Sequence, residues 1–230
     1  LKCVTVNLDP GAEWLPYTPD IAIRKDISLT EIMRRYKLGP NGGLIAAIDL
    51  LVDHVHRLRE IIKGMKPDYV LVDTPGQMEL FAFRDSGPIV VKTLGENRGT
   101  LFLADACMCR SPSTFVSTLL LSASVFVRFR NPQIIALTKT DLIKEDDLNR
   151  ILDWWDNQES LLDAMQEEPN PLQRDVASSI LPGLRGLGMP GELIPVSATR
   201  GSGMLELMTS IERAFASETA LDLGKEFEPP

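Results

Sequence analysis

The chain has 230 residues, 44% hydrophobic and 24% charged, with a formal net charge of -8. That balance excludes a collagen-like or intrinsically disordered chain, and the acidic excess argues against general affinity for nucleic acid or an anionic membrane. Three cysteines, Cys3, Cys107 and Cys109, are too few and too unevenly spaced for a disulfide framework and point to a reducing, cytoplasmic compartment.

Residues 1–8 alternate in character and end at Asp9, without the basic start, apolar run and small-residue cleavage site of a signal peptide. They read as a buried strand, which implies further structure before it. After the strand comes the turn sequence Asp9-Pro10-Gly11. Gly39-Pro40-Asn41 then leads through Gly42 into a helix over residues 43–62, where Leu44, Ile48, Leu51, Val55 and Leu58 recur at three- and four-residue steps. Further apolar, β-branched runs cover residues 69–72, 101–104, 133–137 and 192–196. The apolar stretch over 118–129 is broken by serines and Arg128 and falls short of the roughly 20 residues that span a bilayer. Residues 144–191 interrupt the strands with acidic helical sequence, Trp154-Trp155, and an exit rich in Pro and Gly at Pro182-Gly183 and Pro190-Gly191. The tail, ending Glu226-Phe227-Glu228-Pro229-Pro230, holds few apolar anchors and reads as frayed.

Strands alternating with helices predict an α/β fold: a mostly parallel sheet flanked by helices in three layers, one domain over 1–230 with a helical insertion at about 144–191. In such sheets ligands bind beyond the carboxyl ends of the strands. The residues at those ends are Asp9, Asp73-Thr74-Pro75-Gly76-Gln77, Thr138-Lys139-Thr140-Asp141 and Ser197-Ala198.

An aspartate delivered by an apolar strand to a sheet edge suits a magnesium shell on a nucleoside triphosphate, because that ion requires hard oxygen ligands. Asp73 is the candidate. Gly76, lacking Cβ, lets its backbone N–H approach a γ-phosphate, while Gln77 and Glu79 are placed to orient and polarise a water. Thr138-Lys139-Thr140-Asp141 is similar to the guanine-reading NKxD motif, with threonine for asparagine. A carboxylate at Asp141 accepts from guanine N1–H and the exocyclic amine, a pattern adenine cannot match. Ser197-Ala198 would complete the base pocket through a backbone N–H. Taken singly, each has a plainer reading: a strand-ending turn at Asp73 and at Ser197, solvated loop positions at Gln77 and Glu79, a helix cap at Thr138–Asp141.

Gly39-Pro40-Asn41, with Asn7-Leu8-Asp9-Pro10-Gly11 before it and Asp73-Thr74-Pro75-Gly76-Gln77-Met78-Glu79 after it, resembles the GPN-loop GTPases, dimeric P-loop GTPases of the SIMIBI class. The resemblance implies a P-loop NTPase-like fold, GTP hydrolysed to GDP and phosphate with Mg2+, and a homodimer, or a heterodimer with a paralogue. In that dimer the GPN loop reaches the partner's nucleotide, with Gly39 and Pro40 beside it and Asn41 donating to the transferring phosphoryl group. It also implies that Asp9 holds the attacking water or the magnesium shell, though a turn before Pro10 explains Asp9 as well. Its clients would be RNA polymerase or another protein complex under assembly. No GxxxxGK[ST] phosphate loop occurs in the sequence, and a strand-loop-helix of roughly 30 residues is expected upstream to supply it. The rival is a non-catalytic assembly module that keeps the fold without phosphate binding; the retention of Asn41, Gln77 and Glu79 argues against it.

Other chemically capable residues read as structural. His54 and His56 stand two apart and share no helix face, Cys107 and Cys109 lack a second pair for zinc, and Trp154 and Trp155 read as packing anchors, with a partner-binding patch as the alternative.

Overall fold

The structure, a computed structural model, describes residues 1–170, 174–175, 179–181, 183 and 192–225. The chain divides into two compact units, Leu1–Glu96 and Asn97–Pro230.

The first unit is built on a parallel sheet in the order β2-β1-β3, with β1 at Cys3–Asn7, β2 at Ile21–Ala22 and β3 at Tyr69–Asp73. Central β1 is the most deeply buried: Val4, Val6 and Asn7 are 1% exposed or less. Its register pairs Asn7 with Asp73, so two polar side chains stand side by side where the strands end. The short β2 is fixed by a clasp, in which the Thr5 N–H and hydroxyl both donate to Asp20 Oδ2 at 2.8 Å.

Two helices follow, α1 at Leu29–Tyr36 and α2 at Pro40–Met65. Ser28 caps α1 by accepting from the Glu31 N–H at 3.3 Å. On α2, Leu44, Ala47, Ile48, Leu51, Val55, Leu58 and Ile62 form one buried stripe, as the spacing predicts, and the helix extends past the predicted 43–62 at both ends. Gly43 lies where α1 and α2 meet, and a Cβ there would stand 2.5 Å from Met33 Cγ and force that side chain to shift. Short α3 at Met78–Phe81 and α4 at Ser86–Leu94 complete the unit. Arg84 Nε and Nη2 grip both Asp49 oxygens on α2 at 3.1 and 2.6 Å, and Ser86 Oγ adds a bond to Asp49 Oδ1 at 3.1 Å.

The second unit holds a parallel sheet in the order β4-β5-β6, with β4 at Thr100–Asp105, β5 at Gln133–Thr138 and β6 at Leu193–Pro195. The middle strand β5 is buried from Gln133 through Leu137, consistent with the apolar run over 134–137. Each sheet also has an outer strand carrying exposed leucines: Leu71 on β3 is 58% exposed, and Leu101 and Leu103 on β4 are 41% and 63% exposed.

Helix α5, Pro112–Phe129, is capped by Ser111 and buries Phe115, Val116, Leu119, Ser122, Ala123 and Val125. Among the described residues it is the one helix apolar and long enough to cross a membrane, by length and composition alone. Its inner face belongs to the unit's core, where Phe115 meets Trp154 with ring centroids 5.9 Å apart. The helix that contains the apolar stretch read over 118–129 begins at Pro112.

Helices α6, Glu145–Asp156, and α7, Gln158–Gln166, occupy the first part of the expected insertion. Three acids open α6, where the helix dipole favours negative charge. Trp154 is buried and Trp155 packs against the same core, which accounts for both as anchors. Pro182, Pro190, Gly191 and the tail 226–230 lie outside the described residues. A closing helix runs over Met204–Lys225, and Leu207, Ile211 and Ala214 pack on Ile134, Ala136, Ile194 and Val196. It is entered through Gly203 at φ +75, a left-handed conformation that also puts the place of a Cβ only 1.9 Å from the Pro195 carbonyl oxygen.

Candidate functional site

In the first unit, β1 and β3 deliver their polar ends together. Asp73 is exposed, and its Oδ2 accepts from the Asn7 amide at 3.0 Å and from the Tyr17 hydroxyl at 2.7 Å. Burial, and then the bond to Asp73, push the Tyr17 phenol above its ordinary range. Asn7 is wholly buried, and its Oδ1 has no hydrogen-bond partner. Asp9 turns back on its own loop, with Oδ1 accepting from the Gly11 N–H at 2.8 Å. That is the turn-stabilising geometry, and it places Asp9 two residues past the end of β1.

Downstream of Asp73, Pro75 is buried while Gly76, Gln77 and Glu79 are exposed. Among the described residues, its two chain neighbours aside, no atom lies within 4 Å of where a Gly76 Cβ would stand, so packing there does not require the glycine. Gln77 takes the N-cap position of α3 without a side-chain cap bond, and Glu79 lies in that helix's first turn. Their amide and carboxylate are thus left to solvent.

The GPN tripeptide opens α2. Gly39 is the N-cap in an extended conformation, Pro40 is the first helical residue with φ pre-set for it, and Asn41 follows; all three are exposed. The first helical bond runs from the Gly43 N–H to the Gly39 carbonyl at 2.8 Å. Amides of the first turn that lack an intrahelical partner, together with the positive end of the helix dipole, make this end attractive to an anion.

In the second unit, the ends of β4, β5 and β6 hold the other set. Ser197 is fully buried; its hydroxyl donates to Asp141 Oδ1 at 2.6 Å and accepts from the Arg200 N–H at 3.2 Å. Thr199 donates to Asp141 Oδ2 at 3.1 Å. Both carboxylate oxygens are therefore oriented, and each keeps a lone pair for a further donor. The Ser197 hydroxyl, and then that of Thr199, hold the Asp141 carboxyl below the usual carboxylate range against the opposing effect of burial. Thr140 ties the same loop to the residue after β6 through its N–H and hydroxyl, both donating to the Val196 carbonyl at 3.3 and 3.1 Å.

Lys139 takes a left-handed conformation at φ 60, and its ammonium meets Asp105 Oδ2 at 2.7 Å. This ion pair depresses the Asp105 carboxyl and raises the Lys139 ammonium. Thr138, standing where asparagine is usual in the NKxD motif, spends its hydroxyl on the Ala104 carbonyl at 3.0 Å and so braces β5 on β4. Ala198 is exposed on the turn after β6.

Sequence reasoning missed Tyr17, Asn7, Asp105 and Thr199. Asp105 was findable, because it ends β4 as Asp73 ends β3. Asn7 lay in a quoted motif without a role, while Tyr17 and Thr199 reach their carboxylates across 56 and 58 positions of sequence and leave no local signal.

Residues 1–217 match the family described as "Conserved hypothetical ATP binding protein". GPN-loop GTPase 1 of Dictyostelium discoideum is 30% identical over 210 residues, covering 90% of this chain and 52% of that protein. GPN-loop GTPase QQT2 of Arabidopsis thaliana is 33% identical over 211 residues, covering 90% and 55%. A GTPase from Pyrococcus abyssi, solved in its apo form, is 27% identical with a TM-score of 0.82, covering 93% of this chain and 86% of that one. The parallel sheets, their flanking helices and this likeness define an α/β protein of the P-loop NTPase fold. The chain belongs to the GPN-loop GTPase family. It spans about half the length of the curated relatives described.

Proposed function

We propose that this chain is the nucleotide-handling part of a magnesium-dependent hydrolase that converts GTP and water to GDP and phosphate. The observation that carries the reading is Asp141, a carboxylate whose two oxygens are each set by a hydroxyl, Ser197 and Thr199, at the end of a parallel sheet. A pre-oriented acceptor pair suits the two donors on the guanine edge. Adenine would leave one acceptor facing no donor, which is costly in a desolvated pocket. The family's description names ATP while the relatives' names say GTPase, and this geometry favours guanine.

Asp73 fits a magnesium shell. That ion is commonly held by one or two carboxylates, with water and substrate phosphates filling its other positions. Among the described residues no group of three or more His, Cys, Asp and Glu side chains is clustered as a metal cage, and Asp73 itself offers an exposed carboxylate at a strand end. When bound, magnesium neutralises charge on the β- and γ-phosphate oxygens. The Gly76 amide approaches the γ-phosphate, Gln77 orients the attacking water, and Glu79 polarises it or holds Gln77. Asp9 assists with the water or the metal shell. Asn41, at an exposed helix start, donates in trans to a partner's nucleotide in a homodimer or a heterodimer with a paralogue. The output is a nucleotide-dependent change in partner binding, in service of assembling RNA polymerase or another protein complex in the cytoplasm.

The test is phosphate release from GTP, with ATP as control and with magnesium present or chelated, on the full-length protein. Magnesium-dependent turnover selective for GTP supports the proposal. Equal turnover of ATP rejects the role of Asp141, and failure to bind either nucleotide favours the non-catalytic assembly module.

A further inference from the structure

Two neutral donors from different parts of the first unit converge on one oxygen of Asp73. The Asn7 amide arrives from the neighbouring strand at 3.0 Å, and the Tyr17 hydroxyl arrives from the loop joining β1 to β2 at 2.7 Å. The Asn7 bond follows from register, because Asn7 and Asp73 are direct partners in the parallel ladder. The Tyr17 bond has no such local cause, and it depends on how its loop is held.

That loop is fixed at three places. Asp9 Oδ1 accepts from the Gly11 N–H at 2.8 Å at its start, Arg24 Nη1 reaches the Ala12 and Glu13 carbonyls at 2.8 and 3.2 Å, and Asp20 is clasped by Thr5 at its end. A tethered loop presents the Tyr17 hydroxyl with little further loss of conformational freedom. Tyr17 is 37% exposed, so its ring is not a core element whose main task is filling space.

We propose that Tyr17 is a positioning residue for Asp73, and that Asn7 supports the same oxygen from the neighbouring strand. With both donors on Oδ2, rotation of the carboxylate is arrested and Oδ1 is left as the oxygen that turns toward a divalent cation or its bound water. Partners that orient a metal-binding carboxylate in this way are typically worth roughly 10- to 100-fold in metal affinity. The inference rests on the proposed assignment of Asp73 to the metal shell. It adds what that assignment lacks, a reason why one exposed carboxylate has a defined orientation before any ligand arrives.

The decisive experiment measures Mn2+ binding by electron paramagnetic resonance in the GDP complex of the full-length protein, for wild type, Tyr17→Phe and Asp73→Asn. Tyr17→Phe removes one hydroxyl from a partly exposed ring and leaves the packing in place. The expected result is about tenfold weaker Mn2+ binding in Tyr17→Phe, with GDP affinity measured in excess chelator unchanged. Wild-type Mn2+ affinity in Tyr17→Phe overturns the inference, as does an equal loss of metal-free GDP affinity, which would mark a general loosening of the loop. Asp73→Asn separates the two levels: if it weakens Mn2+ binding while Tyr17→Phe does not, only the positioning role falls. If Asp73→Asn also binds Mn2+ like wild type, the metal-shell assignment falls and this inference with it.

Discussion

The two units treat their functional side chains in opposite ways. In the second, Asp141 is gripped through both oxygens, Lys139 is paired with Asp105, and Thr138 and Thr140 are bonded to the Ala104 and Val196 carbonyls. In the first, only Asp73 and Asp9 are engaged; Asn41, Gln77 and Glu79 stand exposed at helix starts. On the proposed roles, the difference matches what each group has to do. Reading a base is equilibrium binding, and rigid acceptors lower its entropic cost. Assisting phosphoryl transfer, the role proposed for Asn41, Gln77 and Glu79, calls for contacts made to the transferring group itself, so these side chains face solvent until a nucleotide supplies their partner. Under the proposed function, one unit is organised for selectivity and the other for a ligand-dependent step.

Breaking the rigid side should give the largest effect. Asp141→Asn replaces one of two acceptors by a donor, and a hydrogen bond involving a charged group is among the strongest. GTP affinity should fall by roughly a thousandfold, and preference should move toward xanthine nucleotides, whose edge offers an acceptor where guanine has an amine. Competition titration with GDP and xanthosine diphosphate measures this. Unchanged guanine selectivity would remove Asp141 from the base pocket and with it the contrast between the units.

On the exposed side, Asn41→Ala should lower kcat by roughly a hundredfold, the effect of losing one donor to a developing anion. KM should barely move. A parallel loss in GDP affinity would show that the helix start acts as a ground-state anchor. Steady-state turnover and GDP titration on the same preparation distinguish these outcomes.

How much of this was legible in the sequence depends on the distance over which each feature is encoded. The buried stripe of α2 was readable because its spacing is local, and Asp73 was readable because a run of apolar residues delivers it to a sheet edge. The start of α1 carried a signal that could have been used: Ser28 followed three residues later by Glu31, the spacing of a capping box. Strand β2 was hidden, since two residues, Ile21 and Ala22, have no periodicity and become a strand only by pairing with Val6 and Asn7. The proposed roles of Gly39, Pro40, Gly76, Lys139, Ser197 and Ala198 came from motif order, and the structure places them at helix starts and strand ends. What motif order could not supply was the set of partners that orient each carboxylate. Those partners are distant in sequence and of common residue types, so only the folded geometry singles them out.

Thr199 offers the finest test of the comparison, because it is the weaker of the two hydroxyls on Asp141. Thr199→Val keeps the shape and removes one donor at 3.1 Å, while the shorter Ser197 bond at 2.6 Å remains. GDP affinity at neutral pH should fall by only about fivefold, the effect of one modest hydrogen bond acting through another group. The pH dependence should be more telling. Base reading needs the ionised carboxylate, and the two hydroxyls hold its pKa below the ordinary carboxylate value. Binding is therefore retained above that depressed pKa and lost as the pH falls through it. Removing one donor raises the pKa, so in Thr199→Val the acid loss should begin at a higher pH than in wild type, and Ser197→Ala, which removes the stronger donor, should shift it further in the same direction. If the acid limb of GDP binding stays where it is in both variants, the hydroxyls brace the loop rather than tune the carboxylate, and the rigidity of the second unit is mechanical rather than electrostatic.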